Sequence, residues 1–252
     1  MKLRILGCSG ADYPGYRTTS FLIDGRLLID AGVISSVLSV DEQAAIRQIL
    51  VTHAHIDHVK GIPSLSDNRC LNRAPESFQV VGIPECLAAL QAHLFNNILW
   101  PDFSAIPSRE HPVLAFRPVE PDVEHAIGDY LVTPVRVNHT VPTAGYLVRA
   151  GQRSLLFSGD TGPTDRLWEL APGVDALIVE VSFPNEMEHL AVVSKHLTAR
   201  ILAMELAKAR SLPSKILVTH LKPQFRAIIQ AEIMASGIDG IELLNDGDIF
   251  EF

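Results

Sequence analysis

The stretch "ILVTHAHIDH", residues 49–58, places three histidines and one aspartate in the six positions that follow a short apolar run. The run "ILVTH" returns at residues 216–220 and again ends in a histidine. Short apolar runs of this kind predict buried β-strands. Because α/β sheets hold their ligands at the carboxyl ends of strands, the two copies predict metal-binding side chains at one sheet edge.

Two more apolar runs end in a potential ligand, since "VRVNH" closes with His139 and "LLFSGD" closes with Asp160. Imidazole and carboxylate groups suit zinc, manganese or iron. A strand-end histidine that faces water would explain His139 or His220 taken alone. Together with the dense stretch 53–58, however, the pattern favours a metal centre.

The expected centre holds two divalent cations, with zinc the first expectation and manganese or iron the alternatives. Each ion keeps an open position for water, as catalytic metal sites do. Two cations about 3.5 to 4 Å apart lower the pKa of a shared water and hold a hydroxide ready to attack. The predicted ligands are His53, His55 and His139 for the first ion, Asp57, His58 and His220 for the second, and Asp160 as the bridge.

The composition predicts one globular domain, residues 1–252, because 47% of the residues are hydrophobic and no linker divides the chain. A net charge of −8 argues against a broad nucleic-acid or anionic-membrane surface. The three cysteines lack paired spacing, so we expect no disulfides and a cytoplasmic location. The first residues contain too short an apolar run for a signal peptide or a spanning helix.

Short runs rich in valine, isoleucine and leucine alternate with helical stretches, which predicts an α/β layered fold. The predicted strands are 2–6, 20–23, 26–29, 49–51, 78–81, 130–137, 154–157, 176–179 and 216–218. The predicted helices are 41–48, 85–95, 198–209 and 224–236. Residues 96–112 carry three prolines and predict a long surface loop.

The motif "THAHIDH", followed in order by His139, Asp160 and His220, resembles the metallo-β-lactamase superfamily. That resemblance covers nearly the whole chain and implies an αββα four-layer sandwich with two metals at one edge of the paired sheets. The stretch "LIDAG", residues 28–32, resembles the early aspartate motif of the family. It implies that Asp30 supports the ligand turn without binding metal.

The motifs "HIDHVKGIPSLSDN", "HLFNNILWPDF", "KHLT" and "THLKP" resemble, more narrowly, the class II 3',5'-cyclic-nucleotide phosphodiesterases. This resemblance implies hydrolysis of cAMP or cGMP, small molecules, to the nucleoside 5'-monophosphate. We expect Asp57, His196 and Glu180 to be catalytic, with His196 donating a proton to the leaving oxygen and Glu180 orienting its ring. The alternative is that His196 caps a helix and Glu180 belongs to an unrelated surface pair.

The loop after residue 94 offers groups that could bind a purine base. Phe95, Trp100 and Phe103 could stack on the base, while Asn96 and Asn97 could bond to its edge. Core packing or a subunit contact is an equal alternative. A homodimer is expected if this loop packs against a neighbouring copy.

Other functions of the same or a related fold stay open. The transfer-RNA 3'-end-processing nucleases resemble the chain in "GCSGADYPGYRTTSFLI" and "HLT", but they commonly carry an RNA-gripping arm between the ligands matched by His139 and Asp160. Only twenty residues separate these two here, so we expect no stable nucleic-acid complex. A thioester or lactone hydrolase, a di-iron redox protein and a non-catalytic metal-binding module are the remaining alternatives.

Overall fold

The computed structural model describes residues 1–72 and 76–252 and contains two mixed β-sheets with helices on their outer faces. The strands are β1 (Lys2–Gly7), β2 (Ser20–Ile23), β3 (Leu27–Ile29), β4 (Gln48–Leu50), β5 (Phe78–Gly82), β6 (Leu114–Pro118), β7 (His125–Ile127), β8 (Tyr130–Arg136), β9 (Ala144–Ala150), β10 (Arg153–Phe157), β11 (Ala176–Glu180), β12 (Ile216–Thr219), β13 (Ile241–Leu243) and β14 (Ile249–Glu251). The helices are α1 (Val40–Ala45), α2 (Ile56–Val59), α3 (Gly61–Leu71), α4 (Pro84–His93), α5 (Arg166–Glu169), α6 (Glu188–Ser194), α7 (Ala199–Leu206) and α8 (Arg226–Ala235).

Each sheet has seven strands in the described part of the chain. The first has the order β14-β1-β2-β3-β4-β5-β6, and the second has the order β13-β12-β11-β10-β9-β8-β7. Strands β3 to β6 are parallel, and β10 to β12 are parallel. Strand β8 runs in the same direction as β10, because each of them pairs antiparallel with β9.

Side chains of the second sheet alternate between two buried layers. In β10, Leu155 and Phe157 join the core between the sheets, whereas Leu156 joins the core beneath the helices. Phe157 meets Phe21 of the first sheet edge to face, with ring centroids 5.2 Å apart. Burial on both faces explains why these strands read as continuous apolar runs.

Helices cover the outer face of each sheet. Residues of α3 and α4 pack with the first sheet in one core, and residues of α5, α7 and α8 pack with the second sheet in the other. The predicted αββα sandwich is therefore confirmed. The interpretation of residues 1–252 as one domain stays a prediction, supported by a core to which both sheets contribute.

The predicted strands are present within a residue or two of their predicted bounds, but the predicted helix 41–48 is too long. It ends at Ala45, and Gln48 already belongs to β4 because the carbonyl of Arg26 accepts hydrogen bonds from Arg47 and Gln48. Helix α3 was not predicted because its sequence "GIPSLSDNRCL" mixes serine, aspartate and asparagine with few apolar residues and so shows no helical hydrophobic pattern. The predicted loop 96–112 contains neither helix nor strand.

In the described residues no helix combines the length and the apolar character needed to cross a bilayer.

Replacing Phe157 by alanine should lower the free energy of unfolding by about 3 to 5 kcal/mol, because it removes a buried ring that joins the two sheets. Leu131→Ala is the matched control on the same sheet. Leu131 is exposed, so its substitution should lower the free energy of unfolding by less than about 1 kcal/mol. Denaturant titration of both variants measures the difference. Equal losses in the two variants would contradict the role given to the Phe21–Phe157 contact.

Candidate metal centre

The two "ILVTH" copies belong to different sheets and meet at one edge. Strand β4 of the first sheet leads to His53, and β12 of the second sheet leads directly to His220. The turn after β4 continues into α2, which carries Asp57 and His58. His139 and Asp160 follow β8 and β10, whose carboxyl ends lie on the same side of the second sheet as that of β12.

Three histidine nitrogens converge in a first group. His53 Nε2 lies 2.9 Å from His55 Nδ1, and His55 Nδ1 lies 3.3 Å from His139 Nε2. The remaining ring nitrogens face acceptors, because His53 Nδ1 lies 3.0 Å from Thr52 Oγ1 and His139 Nδ1 lies 3.0 Å from the carbonyl of Lys195. We therefore assign the ring protons of His53 and His139 to Nδ1, which leaves lone pairs at Nε2.

A second group joins Asp57, His58 and His220. His58 Nε2 lies 3.2 Å from His220 Nε2, and Asp57 Oδ2 lies 3.5 Å from His220 Nε2 and 3.8 Å from His58 Nε2. His58 Nδ1 faces Asp30 Oδ2 at 2.7 Å, so its proton also points away from the group. His58 and His220 therefore turn their Nε2 atoms toward a common point.

Asp160 lies between the two groups. Its Oδ2 atom is 3.3 Å from the Nε2 atoms of both His58 and His220, and 3.7 Å from His53 Nε2. Asp160 also belongs to the group formed by His53, His55 and His139, whose ligand atoms all lie within 4.8 Å of one another. One carboxylate thus lies close to ligands of both groups.

The spacing of the histidine nitrogens suits metal coordination better than direct contact between the nitrogens. Facing lone pairs on imidazole nitrogens repel at hydrogen-bond distance unless a cation lies between them. Tetrahedral coordination with metal–nitrogen bonds of 2.0–2.1 Å separates ligand nitrogens by about 3.3 Å. The nitrogen–nitrogen distances of 2.9, 3.2 and 3.3 Å are close to that spacing. The histidine and aspartate clusters therefore fit a metal site.

Burial and the neighbouring charges together set the protonation of the cluster. Burial works against a charge on His58, but the carboxylates of Asp160 and Asp30 outweigh it and raise the pKa of the imidazole well above its usual range. Burial also opposes the charge on Asp160, yet His220 and His58 hold the pKa of that carboxyl well below its usual range. Burial and then His58 lower the pKa of His53. Asp160 therefore stays ionised, and His53 stays neutral with a lone pair for a cation.

Asp30 anchors the ligand turn from beneath. It is fully buried, its Oδ1 accepts a hydrogen bond from the Thr52 amide at 2.8 Å, and its Oδ2 accepts one from the Thr52 hydroxyl at 2.8 Å. The same Oδ2 lies 2.7 Å from His58 Nδ1. Asp30 thus fixes one ligand ring directly and a second, His53, through Thr52. Partners of this kind orient metal ligands and increase their basicity.

His196 and Glu180 form a buried pair beside the cluster. His196 Nδ1 lies 2.7 Å from Glu180 Oε1. Burial lowers the pKa of His196, but the neighbouring Glu180 carboxylate outweighs burial and raises it above the usual value. The His196 ring stacks on that of His220 at 5.4 Å and lies 5.1 Å from the ring of His139. The pair therefore reaches ligands of both groups.

Ser182 links this pair to the second group, a role that the sequence pattern did not indicate. Its hydroxyl lies 2.9 Å from Glu180 Oε2 and 2.9 Å from His220 Nδ1. The Ser182 hydroxyl donates its proton to Glu180, so its oxygen accepts a hydrogen bond from His220 Nδ1. The lone pair of His220 is then at Nε2. Ser182 stands two residues after Glu180 at the end of β11, so the spacing of "EVS" was the available signal.

His220 and its neighbour are held in tight backbone geometry. His220 has φ of 65°, which is uncommon for a residue other than glycine, and its amide donates to the carbonyl of Cys8 at 2.8 Å. A Cβ atom on Gly10 would lie only 2.4 Å from the His220 carbonyl and 2.7 Å from its Nδ1. Gly10 is therefore required for the loop after β1 to pass over this ligand.

Two lysines near the cluster donate hydrogen bonds to backbone carbonyl groups. Lys195 Nζ donates to the carbonyl of His139 at 2.9 Å, and the Lys195 carbonyl faces His139 Nδ1. Lys222 Nζ donates to the carbonyl of Gly10. Lys195 thus positions a ligand, a role that the sequence pattern did not indicate.

The structure does not bring the predicted base-binding residues to the ligand cluster. The loop after α4 returns to the amino end of β6, where Leu114 donates to the carbonyl of Phe103, whereas the ligands follow carboxyl ends. Phe103 is buried in the core, and Trp100 packs against that core. Asn96 and Asn97 both accept hydrogen bonds from backbone amides of their own loop. These groups are therefore used for loop structure and packing, and the dimer through this loop stays a prediction.

Comparison with known proteins finds ribonucleases and cyclic-nucleotide phosphodiesterases among the relatives of this chain. Ribonuclease Z of Bacillus subtilis is 24% identical over 251 residues, which cover 77% of this chain and 76% of that protein. A Yersinia pestis protein named as a probable 3',5'-cyclic-nucleotide phosphodiesterase is 25% identical over 243 residues, which cover 82% of this chain and 68% of that protein. The solved structure of unliganded yeast PDE1 matches with a TM-score of 0.82 at 18% identity, covering 98% of both chains.

The family profile of the β-lactamase superfamily domain matches residues 26–221, which include every ligand of both groups. Its span, the sandwich fold and the histidine and aspartate clusters agree with the resemblance seen in the motifs. The chain belongs to the metallo-β-lactamase superfamily.

Proposed function

We propose that this protein is a metal-dependent phosphodiesterase with two divalent ions, and that 3',5'-cyclic nucleotides are its substrates. The observation that carries the two-ion proposal is the position of the Asp160 carboxylate, within 3.3 Å of His58 and His220 and 3.7 Å of His53. Zinc is the first candidate, because neutral imidazoles and carboxylates are its ordinary ligands. When bound, the ions would polarise water and neutralise phosphoryl oxygens.

The first ion would be held by His53, His55 and His139, and the second by Asp57, His58 and His220. Asp160 would touch both. Asp57 is partly exposed, unlike the buried His58 and His220, so its carboxylate borders the open side of the cluster. There it would help to position the attacking water, the catalytic role that we propose for it.

His196 would supply the proton that the leaving ribose oxygen needs. An alkoxide is a poor leaving group, and a positioned general acid adds about a hundredfold or more to the rate. The contact with Glu180 favours the protonated imidazole and fixes its ring. His196 is largely buried, with 8% of its surface exposed, so a proton on it is directed toward the cluster rather than shared with bulk water.

A small substrate is supported by the segment between His139 and Asp160. It contains only β9 and β10, which pair directly and are joined by a turn of two residues, Gly151 and Gln152. A projecting arm that grips RNA has no room in this hairpin. The charge of −8 also argues against a long polyanionic partner.

A nuclease acting on transfer-RNA 3' ends is the second candidate. It is favoured by the similarity to ribonuclease Z, which extends over three quarters of both chains. Both candidates use a metal-dependent attack on a phosphodiester, so the ligand cluster does not separate them. A di-iron redox role is less well supported, since His55 supplies a nitrogen where an acid would be expected.

Turnover of metal-loaded protein on cAMP, cGMP and precursor transfer RNA tests the function. We expect release of nucleoside 5'-monophosphate from a cyclic nucleotide and no cleavage of the RNA, because the hairpin between His139 and Asp160 leaves no arm. Asp160→Ala should bind less metal at both positions and lose on the order of a thousandfold in rate. His111→Ala, a change in the distant loop, is the control and should keep both the metal content and the rate of the unchanged protein. RNA cleavage without cyclic-nucleotide turnover would reject the substrate proposal.

Asp30→Asn should weaken zinc binding about 10- to 100-fold, because an amide supports His58 and Thr52 less well than a carboxylate does. Asp24→Asn is a matched control, since Asp24 has the same left-handed backbone (φ 49° against 54°) but lies exposed at the β2–β3 turn. Competition with a chromophoric chelator measures both affinities. Equal zinc affinity in Asp30→Asn and Asp24→Asn would contradict the anchoring role.

His196→Gln should cut turnover about a hundredfold while metal content stays unchanged. Because Glu180 raises the pKa of His196, the protonated donor persists to higher pH, and Glu180→Gln should move the alkaline limb of the rate profile to lower pH. His189→Gln and Glu186→Gln, both exposed, serve as controls. An alkaline limb that does not move in Glu180→Gln would remove the donor assignment.

A further inference from the structure

The turn formed by residues 244–248, which we call the crossing turn, passes from the second sheet to the first. It joins β13 to β14, the end strands of the two sheets. The Leu244 amide donates to the carbonyl of Val218 in β12 at 2.9 Å, and the Gly247 amide donates to the carbonyl of Ile5 in β1 at 2.8 Å. The crossing turn is therefore fixed to a strand of each sheet, and one of these strands, β12, leads directly to a ligand of the second group.

Asp246, in the middle of the crossing turn, holds both ends of the loop after β1. Its Oδ1 accepts a hydrogen bond from the Cys8 amide at 3.1 Å, and its Oδ2 accepts one from the Arg17 amide at 2.9 Å. Hydrogen bonds to a carboxylate are about twice as strong as those between neutral groups. Burial and then the Asp246 carboxylate raise the pKa of the Cys8 thiol, so the thiol stays protonated and donates to the carbonyl of Leu244 at 3.4 Å. Cys8 is thus fixed to the crossing turn through its amide and through its side chain.

Cys8 in turn holds the backbone of the ligand His220. Its carbonyl accepts hydrogen bonds from the His220 amide at 2.8 Å and from the Thr219 hydroxyl at 3.1 Å. Two residues further along the loop, the Gly10 amide donates to the carbonyl of Leu221 at 3.1 Å. These bonds surround a residue whose φ of 65° is unfavourable for a side chain with a Cβ atom and persists only where its neighbours enforce it. The conformation of His220 therefore depends on the position of Cys8.

We propose that Asp246 is a positioning residue for the metal ligand His220 and that it sets the affinity of the second ion. Asp246 fixes Cys8, and Cys8 fixes the backbone of His220. The ring of this ligand then reaches the cluster, with its Nε2 3.3 Å from Asp160 Oδ2. Asp246 and Cys8 both lie outside residues 26–221, the part of the chain that the family profile matches. The inference rests on the two-ion site of the proposed function.

The ligands of the first ion are held by other parts of the chain. His53 Nδ1 lies 3.0 Å from Thr52 Oγ1, in the turn after β4, and His139 Nδ1 lies 3.0 Å from the carbonyl of Lys195, after α6. Loss of the Asp246 carboxylate should therefore weaken binding of the second ion selectively. General damage to the fold would weaken binding of both ions, so the ratio of the two affinities separates positioning from a purely structural role.

Cobalt(II) titration of the metal-free protein, followed by visible absorption, tests the inference without turnover. We expect two binding steps, and His220→Ala identifies the step that belongs to the second ion. Asp246→Ala should weaken that step about tenfold and the other step less than about twofold, because partners that orient a metal ligand contribute about 10- to 100-fold to affinity. Asp246→Asn keeps one acceptor oxygen and should weaken the second ion about threefold. This milder variant remains informative if Asp246→Ala fails to fold.

Two further aspartates serve as controls. Asp239→Ala removes the same charge from an exposed position before β13, and Asp248→Asn changes a carboxylate of the crossing turn that accepts from the Asn245 amide. Both variants should keep both affinities. An unchanged second step in Asp246→Ala, or equal weakening of the two steps, would overturn the inference even if the protein hydrolyses cyclic nucleotides. Selective weakening in a protein that hydrolyses no phosphodiester would support the positioning role and reject the proposed function.

Discussion

The whole edge of this sandwich depends on one electrostatic constraint: the imidazole lone pairs of His53, His55 and His139 are held at about 3 Å from one another in a largely buried site. Such an arrangement is unfavourable until a cation occupies the space between them. The ring protons must therefore point outward, and each outward nitrogen needs an acceptor. Asp30, Thr52, Ser182 and the carbonyl of Lys195 provide these acceptors.

The packing of the two sheets is part of the same constraint, because neither sheet carries a complete ligand set. The sheets are joined directly at the ligand edge, where Ala144 donates to the carbonyl of Thr52 and His220 donates to the carbonyl of Cys8. Tyr146 adds a hydrogen bond from its hydroxyl to the carbonyl of Val51 at 2.7 Å. A shift of one sheet against the other would therefore separate the two groups of ligands.

The sequence was sufficient for the fold and for the convergence of the ligands, because both follow local rules. An apolar run that ends in histidine or aspartate gives the strand and its ligand together, as at His53 and Asp160. Ser182 and Lys195 were missed because their roles depend on groups that only the tertiary structure brings near. The position of the loop after residue 94 could not be predicted, because α4 returns the chain to the amino edge of the first sheet and composition does not indicate the direction of the chain. The base-binding role of this loop therefore stays a prediction.

The position of Ser182 makes the proposed donor and the second group of ligands interdependent. Its hydroxyl can donate to one acceptor only, and the contact with Glu180 at 2.9 Å takes that proton. The oxygen then receives the Nδ1 proton of His220 and fixes the lone pair of that ring toward the cluster. Glu180 thereby acts twice, on His196 directly and on His220 through Ser182. A change at Glu180 should consequently affect both proton donation and the affinity of the second ion, whereas a change at His196 should affect donation alone.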